Sequence, residues 1–377
     1  MKTANPAWVL AVTLSGMACA SAGSAIPAGG VDGGDGGGVE GLCSDLQADP
    51  QNCGHCGHDC QGGACVAGAC QPVTLASAQA EPDLIAVDAT SVYWTNFSGG
   101  TVMKLSLAGG APVTLATDQE SPSGIAVDAT SVYWATYGTQ KAGYVDGTIM
   151  KAPLQGGPPV TLATGQSAPN LVAVDATSVY WATSGGGTVM KVPIGGGPAT
   201  TLASDQHGPE CVSVDATNVY WANSGTGLGD DRDGAVMKVP VGGGPATVLA
   251  SAQDAPGCIA IDSSNAYWTN SGSGTVMKVP LAGGVPTALA TEQITPNLIA
   301  VDTRDVYFTS CAAGTVAMVP TGGGATTAIA ARQDVTYGIV VDATTVYWTD
   351  PMEGTVMKLA KPWQSEAPVV EVRTLTR

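Results

Sequence analysis

The pentapeptide "VYWTD" at residues 346–350 is the clearest copy of the pattern that decides the fold. It belongs to the frame Val-Asp-x-x-x-x-Tyr-aromatic, which recurs seven times with small changes. The leading aspartates, 40 or 47 residues apart, are Asp88, Asp128, Asp175, Asp215, Asp262, Asp302 and Asp342. Such a period is typical of proteins built from one supersecondary unit used many times.

Each copy contains four short runs that are typical of β-strands. In the first copy they span residues 84–87, 92–95, 101–105 and 113–116, and Gly, Pro, Asn and Ser separate them. Because these runs carry apolar residues on both faces, each sheet must be covered on both sides. A radial stack of four-stranded sheets meets that need. We therefore predict an all-β, seven-bladed β-propeller over residues 72–377.

The fourth-strand motif occurs eight times, once more than the number of blades. The extra copies stand at the two ends, at residues 73–76 and 372–375. Either terminus could complete the last blade and close the ring, which would protect exposed sheet edges.

The first 22 residues are predicted to be an export signal. Lys2 supplies the positive start, residues 8–14 the apolar core, and "ASA" at 20–22 a cleavage site. In an alternative interpretation "GMAC" is a lipobox and Cys19 carries lipid. A flexible Gly-rich linker follows at 23–42, and no later segment resembles a transmembrane helix. We expect a protein that is secreted or held at the cell envelope.

A disulfide-rich module is predicted at residues 43–71. It is too small and polar for a hydrophobic core and holds six cysteines: Cys43, Cys53, Cys56, Cys60, Cys65 and Cys70. Three disulfides are the natural interpretation for an exported chain, although about 15 pairings exist. Zinc bound by Cys53, Cys56, His55 and His58 is the alternative.

Residues present in every copy are expected to serve the fold. The seven aspartates are predicted to bond backbone N–H groups two residues on, although a ring of aspartates could also bind calcium. Seven glutamines, each nine residues before an aspartate, are predicted to bond backbone between blades, and the Met-Lys pairs to pack with an exposed amine.

Departures from the repeat are more informative about function. Two copies carry seven extra residues, within 137–147 and 225–234. The second insertion holds Asp230, Asp231 and Asp233, which weakly resemble a calcium loop. Cys211 and Cys258 occupy equivalent positions and are expected to pair, which would leave Cys311 unpaired; a Cys258–Cys311 bond is the alternative.

These departures are predicted to share one face, formed by the loops that lead into each first strand and those that join second to third strands. The opposite face is expected to carry only monotonous turns. We expect a polar channel mouth on the loop face, lined by Asp83, Asn170, Glu210, Asn297 and Tyr337, with His207 close to Glu210. Neutral sequence change, which accumulates in exposed loops, would explain the same pattern.

Two family resemblances follow from these motifs. "IAVDATSVYWTN…GTVMKLSLAGG" resembles the YWTD propellers of low-density-lipoprotein-receptor proteins over residues 77–360. Those propellers have six blades and serve as binding or structural modules, so their surface sites do not transfer to seven copies. The run "NCGHCGHDC" resembles the cysteine-rich module of the stigma-specific protein family, which implies an extracellular disulfide module.

Function is predicted from the loop face and the charge. The formal net charge of −17 argues against nucleic acid as a partner. No nucleophile elbow, zinc-protease motif or phosphate loop is present. We expect a monomeric, non-catalytic protein without a cofactor, apart from the calcium alternative, that contacts protein or glycan. A lyase or glycoside hydrolase, or a structural envelope protein, are the alternatives.

Overall fold

The computed structural model describes residues 45–226 and 232–362. Seven antiparallel four-stranded sheets surround one axis, which confirms the predicted seven-bladed β-propeller. The innermost strands contact one another around the ring, and that of the last blade contacts that of the first. Among the described residues the helical elements are two short 3-10 turns, Gln140–Ala142 and Cys311–Ala313.

The strands follow the repeat from the axis outwards. Blades one and two comprise Pro82–Val87, Ser91–Asn96, Thr101–Ser106 and Val113–Ala116, then Pro122–Val127, Ser131–Thr136, Gly147–Pro153 and Val160–Gln166. Blades three and four comprise Pro169–Val174, Ser178–Thr183, Thr188–Pro193 and Thr200–Ala203, then Pro209–Val214, Asn218–Asn223, Gly234–Pro240 and Thr247–Gln253. Blades five and six comprise Pro256–Ile261, Asn265–Asn270, Thr275–Pro280 and Thr287–Ala290, then Pro296–Val301, Asp305–Ser310, Thr315–Pro320 and Thr327–Ala330.

The seventh blade closes the ring with the N-terminal copy of the fourth-strand motif. It consists of Ile339–Val341, Thr345–Asp350, Thr355–Ala360 and the much earlier strand Val73–Ala76. Val73 pairs with Lys358 and Thr74 with Met357. The competing copy at 372–375 lies outside the described residues. Joining the two ends of the repeat in one sheet resists the opening of the disc, because unfolding the last blade must also detach the first strand.

The repeated aromatic pairs form the core, as their alternation predicts. The tyrosines and tryptophans of the second strands are at most 2% exposed and lie on the two faces of each sheet. Each tyrosine hydroxyl donates to the aspartate five residues earlier, at 2.7–3.2 Å. The same aspartates accept the N–H two residues on, which confirms the turn prediction.

The glutamines do more than the sequence analysis expected. In six blades Oε1 of the glutamine accepts the indole N–H of the tryptophan fifteen residues later. Nε2 donates to a carbonyl only two residues away, as in Gln119 to Thr117. The prediction that these side chains bond backbone between blades is therefore wrong; their main partner is a buried indole. The fixed spacing of fifteen was the available signal.

The lysines of the third strands are also tied down. In blades one to five the amine donates to a carbonyl of the next blade, as Lys104 does to Leu154 at 3.0 Å. The expectation of an exposed amine is wrong at these positions, because the third strand faces the neighbouring blade. Blade six carries Met318 in place of this lysine. Lys361, which directly follows the third strand of blade seven, places its amine 5.1 Å from the ring centre of Tyr307.

The cysteine module lies against the propeller on the turn face, the face opposite to the loops. Disulfides join Cys53 to Cys65 and Cys60 to Cys70, while Cys56 is also disulfide-bonded. Cys43 lies outside the described residues. The Nδ1 atom of His58 is 2.5 Å from the carbonyl oxygen of Cys53. The zinc alternative is wrong for Cys53 and for His58, since both are already engaged in other bonds.

Two contacts attach the module to the last blade. Nε2 of His58 lies 2.9 Å from the carbonyl oxygen of Lys361, and Thr345 donates to Oε1 of Gln61. A groove of about 1120 Å³ separates the module from blades six and seven, where Arg304 and Asp305 replace the usual small turn residues. The expectation that this face carries only monotonous turns is therefore wrong.

Candidate functional site

The loop face is built as predicted from two sets of connections. Loops that lead into the innermost strands bond to the loops between second and third strands, as in Phe97 N–H to Glu81 O at 2.8 Å and Tyr137 N–H to Ser121 O at 3.0 Å. In blades one to six the innermost strand begins at this face with a proline, so its second residue lies at the mouth of the central channel. In blade seven the equivalent residue, Tyr337, comes two residues before the strand Ile339–Val341.

Seven equivalent positions surround the mouth, each five residues before a repeat aspartate. Because strand register is shared, they form one ring, which we call the mouth ring: Asp83, Ser123, Asn170, Glu210, Gly257, Asn297 and Tyr337. Sequence reasoning named five of them and missed Ser123 and Gly257. Ser123 is only 3% exposed, and Gly257 leaves the wall of the fifth blade without a side chain. No two neighbouring blades present the same residue, unlike the surrounding repeat.

In blades two and seven the inner strand approaches the next blade closely at the residue after the ring position. A Cβ atom added to Gly124 would lie 2.3 Å from the carbonyl oxygen of Asn170 in the next blade. One added to Gly338 would lie 2.5 Å from the carbonyl oxygen of Asp83. Glycine is needed at these two positions because no side chain fits between the strands. The tight contact fixes the backbone of the mouth ring.

Threonine hydroxyl groups donate hydrogen bonds to the backbone carbonyls of several ring residues. Thr349, Thr95 and Thr269 of the second strands donate to the backbone carbonyls of Asp83, Ser123 and Asn297 in the following blade. Blades two to four carry alanine at this position: Ala135, Ala182 and Ala222.

Between blades four and five, where the threonine is replaced by Ala222, a disulfide joins the two inner strands. Cys211 and Cys258 are joined, with Cα atoms 5.0 Å apart, and Ser213 donates to the carbonyl of Ile259 beside them. The Cys258–Cys311 alternative is therefore wrong. The expectation that Cys311 stays unpaired is also wrong, since this residue is disulfide-bonded.

Two carboxyl groups of the mouth ring are held in a poorly hydrated environment. Burial, with a smaller contribution from the charge of Glu81, raises the pKa of Asp83 to about 7. Burial also raises the pKa of Glu210 to about 7, although a hydrogen bond from Ser224 acts in the opposite direction. Loss of hydration disfavours the charged form, and no nearby cation compensates in the part of the chain that is described. Near neutral pH both groups can therefore donate or accept a proton.

Two tyrosines complete the site. The pKa of Tyr337 lies well above its usual value, because of burial and then the charges of Asp83 and Glu210. Tyr137, from the first insertion, is 9% exposed and packs edge-on against Tyr144 at 5.3 Å. Burial and the charge of Glu210 raise its pKa. The sequence analysis recognised the insertion but not that it brings an aromatic ring towards Glu210.

The insertion loops are shaped by equivalent aspartates. Asp146 accepts from the N–H and hydroxyl of Thr139, and Asp233 accepts from the N–H of Thr226 at 3.0–3.1 Å. Asp233 therefore accepts a hydrogen bond within its own loop, a role that needs no calcium. The calcium site stays a prediction. Asp230 and Asp231 lie outside the described residues.

His207 is associated with the second insertion. Its carbonyl accepts from the N–H of Gly225, and its charge helps to lower the pKa of Asp233, after the hydrogen bonds from Thr226. The hydrogen-bond partner of Glu210 is Ser224, not His207. The expectation that His207 lies close to Glu210 stays a prediction, since His207 is not among the groups that set the pKa of Glu210.

Comparison with solved structures agrees with the fold. A catalytically inactive virginiamycin B lyase from Staphylococcus aureus, solved with quinupristin, is similar at a TM-score of 0.64 and 14% identity, over 77% of this chain and 98% of that one. A streptogramin B lyase is similar at 0.63 and 12%, over 77% and 96%. A chain of a nidogen–laminin complex is similar at 0.49 and 18%, over 64% and 89%.

The two lyase structures agree with the class of protein that the sheets define, a seven-bladed β-propeller, and at such identities they show nothing about activity. No protein-family model and no curated protein sequence matches the chain. Three disulfides between described residues, together with the disulfide bonds of Cys56 and Cys311, indicate an oxidising compartment. No helix in residues 45–226 and 232–362 is long and apolar enough to cross a membrane.

Proposed function

We propose that the protein is an exported or cell-surface binding protein, without catalytic activity, that contacts protein or glycan through the loop face. The mouth ring is its proposed binding site. The observation that carries this proposal is the asymmetry of the ring. Around a scaffold whose other positions repeat, these seven differ and are mostly polar. Binding sites of propellers and other closed scaffolds need such local departures, since a symmetric wall offers no distinct orientation for a ligand.

The energetics of the two carboxyl groups support the same location. Burying Asp83 and Glu210 without a cation opposes folding, because their charged forms lose hydration. Side chains that oppose folding yet lie in a concave, rigidly framed position are candidates for ligand contacts. The Tyr137–Tyr144 pair beside them adds the aromatic surface that glycan and protein ligands commonly use.

The proposal is tested by screening the full exported chain on glycan and extracellular-protein arrays. The matched variants are Asp83→Asn with Glu210→Gln, which keep shape and remove charge, and Glu120→Gln, which removes an exposed charge of the loop face outside the mouth ring. We expect binding by the native chain and by Glu120→Gln, and loss of at least about tenfold in affinity for the mouth variant. Unchanged affinity in the mouth variant would place the ligand elsewhere. No binding on either array would favour a structural envelope role.

A glycoside hydrolase or lyase is the second candidate, favoured by one observation. Carboxyl groups whose pKa is about 7, as for Asp83 and Glu210, suit general acid–base chemistry at neutral pH. Turnover of a glycoside and lactone library, abolished by Glu210→Gln, would support it. Binding without turnover would support the binding protein.

A further inference from the structure

The mouth ring gathers negative charge with no described positive partner. Asp83 and Glu210 stand in the ring, and Glu81 lies close enough for its charge to raise the pKa of Asp83. No cationic side chain among residues 45–226 and 232–362 contributes to the pKa of either ring carboxyl. A positive ligand would supply what the protein itself does not.

The ion pairs of the described residues lie elsewhere. Arg232 approaches Asp254 at 3.6 Å beside the second insertion, and Lys361 binds Asp302 on the turn face. The third-strand lysines are occupied by carbonyl groups between blades, as Lys191 is by Val241.

Ser123 provides an observation that is independent of the carboxyl groups. Its side chain is 97% buried, and its Oγ atom has no hydrogen-bond partner in the described part of the chain. Ser123 shares its strand register with Asp83 and Asn170, so its hydroxyl belongs to the same ring. Buried hydroxyl groups are normally satisfied. The described part of the chain leaves this hydroxyl unpaired, so a polar group that makes room beside it would gain a hydrogen bond.

Aromatic rings complete the set of groups suited to a cation. Tyr337 is close enough to both carboxyl groups for their charges to affect it, and Tyr137 is close to Glu210. The face of a tyrosine ring attracts ammonium groups, most strongly where water is excluded. A neutral sugar would use the same rings but would leave the charge of the carboxylates unpaired.

We propose that the mouth ring binds a protonated primary amine, an inference that rests on the proposed binding function. An ammonium group has three donors and no acceptor. The carboxylates of Asp83 and Glu210, the Ser123 hydroxyl and the Asn170 amide oxygen all accept. A lysine side chain on a protein and an amino sugar in a glycan both offer this group, and the experiment distinguishes them.

The experiment measures affinity by isothermal titration calorimetry on the full exported chain. The first pair of probes is a short lysine peptide and the same peptide with its lysines acetylated, which removes the charge. The second pair is a glucosamine oligosaccharide and its N-acetylated counterpart. Asp83→Asn, Glu210→Gln and the charge control Glu120→Gln are compared with the native chain. Circular dichroism of each variant checks that it is folded.

An amine site predicts that at least one amine probe binds and that its acetylated counterpart binds about tenfold more weakly or less. It also predicts that Asp83→Asn and Glu210→Gln weaken the amine probe whereas Glu120→Gln does not. From pH 6 to pH 8 affinity for the lysine peptide should rise by about tenfold for each participating carboxyl, since its charged fraction rises by that factor.

Two outcomes would overturn the inference. If acetylated probes bind as well as amine probes, the ring takes neutral ligands, and the proposed binding function stands without the amine. If neither amine probe binds the native chain, the amine inference fails, and the array screen alone decides the proposed function. Ser123→Ala serves as a second, electrostatically silent variant that should weaken an amine probe by a few fold.

Discussion

The indole nitrogen of Trp134 donates a hydrogen bond of 3.0 Å to Oε1 of Gln119, a pair fifteen residues apart. Trp134 is fully buried, so its N–H has no access to water. Blade six offers a natural control, because Gln293 stands in the same place but Phe308 replaces the tryptophan. The local bond from Nε2 is the same in both, at 2.7 Å.

Gln119→Ala should therefore destabilise the protein more than Gln293→Ala. We expect a difference of about 1–3 kcal/mol in the free energy of unfolding, because only the first variant leaves a buried donor unpaired. Urea denaturation of both variants measures it. Equal losses would mean that the indole bond contributes little and that the glutamines act through their local backbone bond.

The second prediction concerns the disulfide between blades four and five. Removing it with Cys211→Ser and Cys258→Ser should lower the free energy of unfolding by about 2–4 kcal/mol. In that background Ala222→Thr should restore about 1 kcal/mol, since threonine at this position in blade five bonds the next blade. The control is Ala222→Thr in the chain that keeps the disulfide, where the junction is already joined and the gain should be smaller. An equal gain in both backgrounds, or no gain in either, would contradict the idea that the disulfide substitutes for this hydroxyl.

The third prediction concerns Lys361, which binds Asp302 and the carbonyl of Asp342 and is only 12% exposed. It joins blades six and seven where the repeat lysine is absent. Lys361→Met should lower the free energy of unfolding by about 2 kcal/mol because it leaves a partly buried carboxylate without its cation and removes the bond to the carbonyl of Asp342. Lys104→Met should lower it by about 1 kcal/mol, since it removes one bond to a neutral carbonyl. Similar losses in guanidinium denaturation would contradict a special role for Lys361.

The fold could be predicted because the same four-strand pattern occurs seven times in the sequence. Every blade carries the same buried tyrosine, so a single error of register would have been visible in the other copies. The closing strand could not be chosen, because residues 73–76 and 372–375 carry the same motif and only pairing with Thr355–Ala360 distinguishes them. Local spacing gave the turns but not the partners across blades.

The site could be predicted only in outline. Counting from the aspartates found the positions of Asp83 and Glu210, but not the loss of hydration that sets their pKa to about 7. That property depends on how the blades pack around the axis, which the spacing of residues along the sequence does not reveal. The contact of the cysteine module with Lys361 was also beyond sequence reasoning, since it joins residues about 300 positions apart.

The fourth prediction is a pH dependence of stability. The pKa of Asp83 and Glu210 is higher in the folded chain, so the folded state binds more protons between about pH 4 and pH 7. Their contribution to stability therefore falls as the pH rises through that interval. Asp83→Asn or Glu210→Gln should be more stable than the native chain at pH 8, by about 1–3 kcal/mol, and should differ less from it at pH 5.

Asp128→Asn provides the opposite sign. Burial raises the pKa of Asp128, but hydrogen bonds from Tyr133 and Thr130 outweigh it and the pKa is lowered. Its contribution is present above about pH 4 and is lost as the pH falls further, so this variant should be less stable than the native chain at neutral pH. Thermal unfolding between pH 3 and pH 8 compares the three variants. Destabilisation of all three variants at pH 8 would refute the idea that the charged forms of Asp83 and Glu210 oppose folding.

The most direct test of a binding site at the mouth ring follows the side-chain carboxyl carbons of Asp83 and Glu210 by NMR. The chain is titrated with pH and then with whichever ligand the arrays identify. We predict that both carboxyl groups titrate near pH 7 in the free protein and that both resonances shift when the ligand binds. Titration near pH 4 together with resonances that ignore the ligand would contradict the account.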